Sequence, residues 1–242
     1  MTEHAAAAVG ADRRAESRAA EPRRANDRST LAWATVPAAT LMLSAAAWAV
    51  TVRRLDGMDM GVTTELGSLG SFTVMWVWMM TAMMVPGAVP SLVHRARQHR
   101  STRSTSWFVA TYLGVWALLG PAVYAVYRPH GTVAAGVMVI VAGGYELTPL
   151  KRHFRHRCRD ETRSGFAFGV SCVGSSAGLM LLLAALGIMS VAWMIVVAVV
   201  VLAQKLWAAR LAIDVPIAAA IVGLGLLILI APSAVPGLAP TM

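Results

Sequence analysis

Seven apolar stretches, each about as long as a bilayer is thick, leave this chain few folds to choose from. They cover residues 31–52, 71–93, 107–127, 132–150, 166–186, 189–207 and 215–231. A helix needs roughly 20 mainly apolar residues to cross the hydrocarbon core. In lipid the backbone must satisfy its own hydrogen bonds, and a single stretch achieves this only as a helix. The expected fold class is therefore all-α: a polytopic transmembrane helical bundle of about seven spans. The last stretch is the shortest and holds Gly223 and Gly225, so the count lies between six and eight. Charged residues make up only 14% of the chain, against roughly 25% in ordinary soluble domains. That is too little to cover the surface of a soluble fold this size.

The basic residues give the bundle a direction. In a seven-span arrangement, 18 of the 21 Lys and Arg residues fall on one side. They sit in the N-terminal tail, around Arg95–Arg103, around Lys151–Arg163, and at Lys205 and Arg210, whereas the other side holds only Arg53, Arg54 and Arg128. Cytoplasmic loops carry such an excess. The expected N-terminus is cytoplasmic, and the location is the inner membrane, crossed many times. The net charge of +9 is accounted for by orientation, so nucleic acid is not an expected partner and the lipid bilayer is. Trp33, Trp76, Trp107 and Trp207 lie near span ends, where indole rings favour the interface.

Residues 1–30 are rich in Ala, Arg and Glu and contain no apolar run suited to a cleavable signal. They read as a disordered basic tail, followed by one bundle over residues 31–232 and a short tail over 233–242. The two cysteines, Cys158 and Cys172, fall near the cytoplasmic side, where thiols stay reduced. A structural disulfide is not expected.

The second stretch is chemically unusual. Met75, Met79, Met80, Met83 and Met84 crowd into ten residues. At about 100° per residue they cover half of a helix circumference, with Trp76 inside the arc and Trp78 outside it. Thioether sulfur suits Cu(I), but methionine is also a flexible filler of apolar cores. Pro86 and Pro90 follow, each removing a helical hydrogen bond.

Glu146 is the one carboxylate well inside an expected span, about 6 Å from its end at ~1.5 Å per residue. An intramembrane acid is a functional candidate, and the local alternative is a pairing with Lys151 or Arg152. In the fifth stretch, Gly174 and Gly178 form a small face that permits close helix approach. Cys172, Ser175 and Ser176 lie beside it. By depth, Met84, Cys172 and Glu146 could converge if their spans are neighbours. Two loops carry further donors: Asp56, Met58, Asp59 and Met60 on one side, and His153, His156 and Cys158 on the other. The latter group is embedded in Lys and Arg, which repel cations and favour an orienting basic cluster. No phosphate loop, HExxH, GxSxG or dinucleotide fingerprint occurs, so an enzyme is not the expected class.

Three stretches together resemble a known bacterial family. The first is 76–90, with Met79, Ala82-Met83-Met84, Pro86 and Pro90. The second is 145–158, with Leu147-Thr148-Pro149-Leu150-Lys151 and Cys158. The third is 172–206, with Cys172, Gly174, Leu179-Met180, Gly187, Met189, Trp193-Met194 and Lys205-Leu206. They are similar to the predicted metal-binding integral membrane proteins defined by domain of unknown function 2182. The resemblance implies a multi-spanning protein with a metal site and no established reaction. The chain departs from the family pattern at Ser175-Ser176, where the family has two cysteines. It also has Glu146 where the family has Gln, and Gln204 where the family has Glu.

The expected function is binding or handling of a soft transition metal, most plausibly copper, with Met79, Met80, Met83, Met84, Glu146 and Cys172 as the candidate metal residues. Two other classes stay open. One is a small-molecule permease or transport subunit using the kinked span and Glu146. The other is a structural or accessory subunit in which the methionines only pack.

Overall fold

The computed structural model describes residues 35–55, 67–99, 102–127, 130–161, 164–207 and 211–235. The basic tail, the Asp56–Met60 donors, Trp33 and residues 236–242 lie outside the described residues. Among those described there is no strand. Eight α-helices follow one another: α1 (Thr35–Leu55), α2 (Leu69–His99), α3 (Thr102–Val126), α4 (Thr132–Glu146), α5 (Pro149–Asp160), α6 (Gly165–Leu186), α7 (Val191–Leu206) and α8 (Leu211–Ile230), closed by a short 3-10 turn at Pro232–Ala234.

Each of the seven expected apolar stretches holds a helix, but fewer than seven have crossing length. Helices α1, α2, α3 and α6 are long and apolar enough, and the pair α4 and α5, bent by 62°, makes a fifth when counted as one. The remaining apolar helices are shorter. The reasons are local. Pro149 forces the preceding residue out of helical geometry, and Thr148 adopts an extended ψ of 148°. The fourth helix therefore stops at Glu146 rather than continuing to 150. Thr148 then caps α5 by accepting from the Lys151 N–H, with Pro149 at the first helical position. Helix α6 ends at Gly187, whose φ of 119° is open to glycine. The turn that follows leaves α7 only 16 residues.

Helices α2 and α6 form the middle of the bundle. Helix α6 packs on α3, α4, α5 and α7, and α2 packs on α3 and α7. Glycines let α6 approach so many partners. A Cβ at Gly169 would lie 2.9 Å from Val115 of α3, one at Gly174 2.5 Å from the Phe154 ring of α5, and one at Gly178 3.0 Å from the Ala142 carbonyl of α4. The close approach read from Gly174 and Gly178 is thus realised, on α5 and α4. Helix α1 touches the bundle along a single stripe, Thr40, Ser44, Ala47, Thr51 and Leu55, whose spacing of three and four follows the helical repeat.

Proline inside α2 is compensated. Pro86 cannot donate to the carbonyl of Ala82, one turn back. That carbonyl accepts instead from the Ser44 hydroxyl of α1, at 2.8 Å. The outer faces of the bundle are apolar too: Met42 is 72% exposed, Leu118 73% and Ile230 82%. Trp107 and Trp207 are also exposed, but Trp76 is not an interface residue. It is buried inside α2, and its indole N–H donates to the Trp116 carbonyl at 2.8 Å. The polar N–H found a partner in α3, so burial of the ring won over the interface.

Ser44→Ala should destabilise the purified protein by about 1–3 kcal/mol, the cost of an unpaired buried carbonyl. In a Pro86→Ala background, which restores the helical N–H, the same change should cost clearly less. Thermal unfolding of the four proteins in detergent measures this coupling.

A candidate metal centre at one end of the bundle

The second half of α2, all of α5, the first half of α6 and the end of α7 meet at one end of the bundle. Helix α5 carries eight charged or histidine-type side chains in the run KRHFRHRCRD, too many for hydrocarbon, and it lies across this end. Its inward face is unusual. Lys151 and Cys158 are buried and Arg155 is mostly buried, at helical spacings of four and three. Arg152, His153, His156, Arg157 and Arg159 are exposed.

Lys151 reaches back across the Thr148–Pro149 bend and forms an ion pair with Glu146. Its ammonium also donates to Gln204 Oε1 of α7, at 3.0 Å, and the Gln204 amide donates to Glu146 Oε2 at 2.6 Å. Three helices are thereby joined by two charges and one amide, all buried. Burial pulls the Lys151 ammonium below its ordinary pKa, and the Glu146 charge opposes that shift. The second carboxylate oxygen of Glu146 has no hydrogen-bond partner among the described residues. It sits 3.0 Å from where a side chain on Gly178 would begin. One turn along α5, Arg155 closes the end of α7. Its guanidinium donates to the Gln204 carbonyl at 2.6 Å and to the Trp207 carbonyl at 3.2 Å, and it pairs with Asp214 in the first turn of α8 at 2.5 Å. Unpaired carbonyls at a helix C-terminus favour a cation there.

The next inward residue of α5 is Cys158. Its buried thiol neighbours the Cys172 sulfur of α6, and that neighbour, together with burial, raises the Cys158 thiol well above its ordinary pKa. Both cysteines are free and buried. Cys172 has two further neighbours. The Lys205 ammonium of α7 donates to its sulfur at 2.8 Å, and the Tyr112 hydroxyl of α3 lies 3.4 Å away. The same hydroxyl is 3.4 Å from the Met84 carbonyl. Lys205 also lies over the Phe168 ring and crosses α2 at Gly87, where a Cβ would come within 2.4 Å of its chain. Only a glycine at 87 leaves that path open.

The candidate residues of the sequence thus fall into two groups. The Tyr112 hydroxyl links the Met84 backbone carbonyl to the Cys172 sulfur. Met79, Met80 and Met83 are buried in the same stretch of α2. Glu146 is held by Lys151 and Gln204, the lysine delivered by the Pro149 bend, and no hydrogen bond joins it to Met84 or Cys172 among the described residues. His153 and His156 are exposed, and among the described residues no group of three His, Cys, Asp or Glu side chains could hold a metal ion. Sequence reasoning assigned Cys158 to an orienting basic cluster, gave Lys205 no part in the site, and passed over Tyr112. The spacing of Lys151, Arg155 and Cys158 was the available signal: a polar stripe at helical period in an otherwise charged run.

Soft sulfur side chains thus lie buried towards this end of the bundle, Cys158 and Cys172 on α5 and α6 and the methionines on α2, and sulfur is the donor type that suits Cu(I). Residues 73–228 match the family described as copper chaperone, and the chain belongs to that family. No curated protein and no solved structure matches it.

Removing one half of the buried ion pair should be far worse than removing both. Lys151→Met should cost about 3–5 kcal/mol by stranding Glu146, and adding Glu146→Leu should recover a large part of that loss. Unfolding in detergent decides it, and a double variant no more stable than the single one would remove the ion pair from its structural role.

Proposed function

We propose that this chain is an integral inner-membrane protein that binds copper(I) on Cys158 and Cys172 and holds it for transfer. The observation that carries the reading is the pair of neighbouring buried cysteines contributed by two different helices. Thiolates are soft ligands and select Cu(I) among the common cellular metals, together with zinc and iron–sulfur clusters. Two sulfurs with no third His, Cys, Asp or Glu nearby among the described residues suit the low coordination numbers of Cu(I) better than the tetrahedral demand of zinc.

Membership of the copper chaperone family supports the cargo. The apolar outer faces and the helices of crossing length support the membrane, and the distribution of basic residues supports a cytoplasmic N-terminus. In this reading Met84 and Met83 are the first thioethers beyond the cysteine pair, and Met80 and Met79 continue a soft path along α2. Glu146 acts as a positioning residue: it holds Gln204, and so holds the neighbouring Lys205 against Cys172.

The finer resemblance to predicted metal-binding integral membrane proteins adds one point. That family has Gln and Glu where this chain has Glu146 and Gln204. The two side chains are in contact here, so exchanging them leaves Lys151 facing one acid and one amide.

Purified protein titrated with Cu(I) against a chromophoric chelator should compete for about one copper per chain. Cys158→Ser combined with Cys172→Ser should abolish the competition. Met83→Leu with Met84→Leu should weaken it by about tenfold, the loss of one weak ligand. Absence of competition by the native protein, or competition indifferent to the cysteines, would overturn the assignment.

A further inference from the structure

A cavity of about 550 Å³ opens beside the cysteine pair, within the size range of small-molecule sites. Cys158 and Lys205 form part of its wall, and Arg155, Arg159 and His156 form another part. The lining holds three permanent cations against a single carboxylate, Asp160. Arg155 is engaged with Asp214, and Arg159 has no acidic partner among the described residues. A bare copper(I) cation approaching through this wall meets like charge. A copper(I) ion already held by two thiolates carries a net negative charge and meets opposite charge, which a low-dielectric cleft focuses.

We infer that the cavity is a docking vestibule for an anionic small-molecule thiolate complex of copper(I), from which the cargo passes to Cys158 and Cys172 by ligand exchange. The inference rests on the copper reading above. In the exchange, the Cys172 sulfur bonds to copper as one carrier sulfur leaves, and the Cys158 sulfur replaces the second. The Cys158 thiol gives its proton to the carrier sulfur it displaces, whereas the Cys172 sulfur, already an anion beside the Lys205 ammonium, has none to give; one carrier ligand departs as a thiol and the other as a thiolate. Copper stays copper(I), no electron is transferred, and the bound complex keeps the charge it arrived with. The wall suits the departing ligands as well: Ser91, Ser175 and Gln204 line the cavity beside the cations and can hydrogen-bond carboxylate or amide groups of a peptide-like carrier.

The test compares two donors of opposite charge delivering copper(I) to the full-length protein in a non-ionic detergent. One is the glutathione complex, which is anionic; the other is the tetrakis(acetonitrile) complex, which is cationic. Transfer from glutathione should slow as salt is raised. It should also slow by about three- to tenfold in Arg159→Glu, and less in Arg159→Gln. Transfer from acetonitrile should not slow in either variant, and equilibrium affinity against a chelator should stay unchanged, because Arg159 is not a ligand. Equal responses of the two donors, or a glutathione rate untouched by Arg159→Glu, would overturn the vestibule while leaving the copper site standing. Failure of both donors to load the native protein would overturn the copper reading and the vestibule together.

Discussion

The functional end of this molecule depends on one buried ion pair. Lys151 and Glu146 face each other across the Thr148–Pro149 bend, with Gln204 completing the contact. Two buried charges seldom gain much stability over apolar residues, yet a lone one is expensive. Each therefore constrains where the other can go. The acid closes the end of α4, the lysine holds the start of α5 against it, and the glutamine sets the end of α7. With those three points held, the next two turns of α5 have little freedom. Arg155 meets the carbonyls at the end of α7, and Cys158 meets Cys172.

That arrangement explains why a strongly charged helix presents polar side chains to the inside. An amphipathic helix ordinarily buries apolar residues and exposes charges. Helix α5 has few apolar residues to bury, and its inward face is spent on partners that need it: a carboxylate, two open carbonyls and a sulfur. The opposite requirement acts on α6. Glycines there remove side chains so that Phe154 and Glu146 can come close. The site is thus made by polar groups from one helix and by missing groups on another.

The Lys205 contact with Cys172 belongs to the same logic. A lysine in the last turn of an apolar helix can reach outward to water or inward to an anion. Here Gly87 leaves room for its chain along α2, and the Cys172 sulfur receives its ammonium. The cation and the sulfur are each supplied with a partner before any cargo arrives, and the neighbouring cavity gives the ammonium somewhere to turn.

Much of the architecture was legible from residues alone. Apolar length specifies helices, because in lipid no other local structure satisfies the backbone, and the stretches at 31–52, 71–93, 107–127 and 166–186 all hold helices of crossing length. The bend at Leu147-Thr148-Pro149 was present in the sequence as a motif, though its consequence, a lysine turned back onto Glu146, was only one of two options. The small face of Gly174 and Gly178 was legible for the same reason: absent side chains permit close approach whatever the partner. What the sequence left open was which helices are neighbours. Hydropathy is alike on all of them, so it carries no information on pairing, and the meeting of Cys158 with Cys172, of Tyr112 with Met84 and of Lys205 with Gly87 was decided by tertiary packing. The sequence by itself determined that the chain is helical, apolar and rich in soft donors; the tertiary structure alone decided that Cys158 neighbours Cys172 and that Gln204 of α7 joins Lys151 at Glu146, because only packing brings side chains from separate helices together.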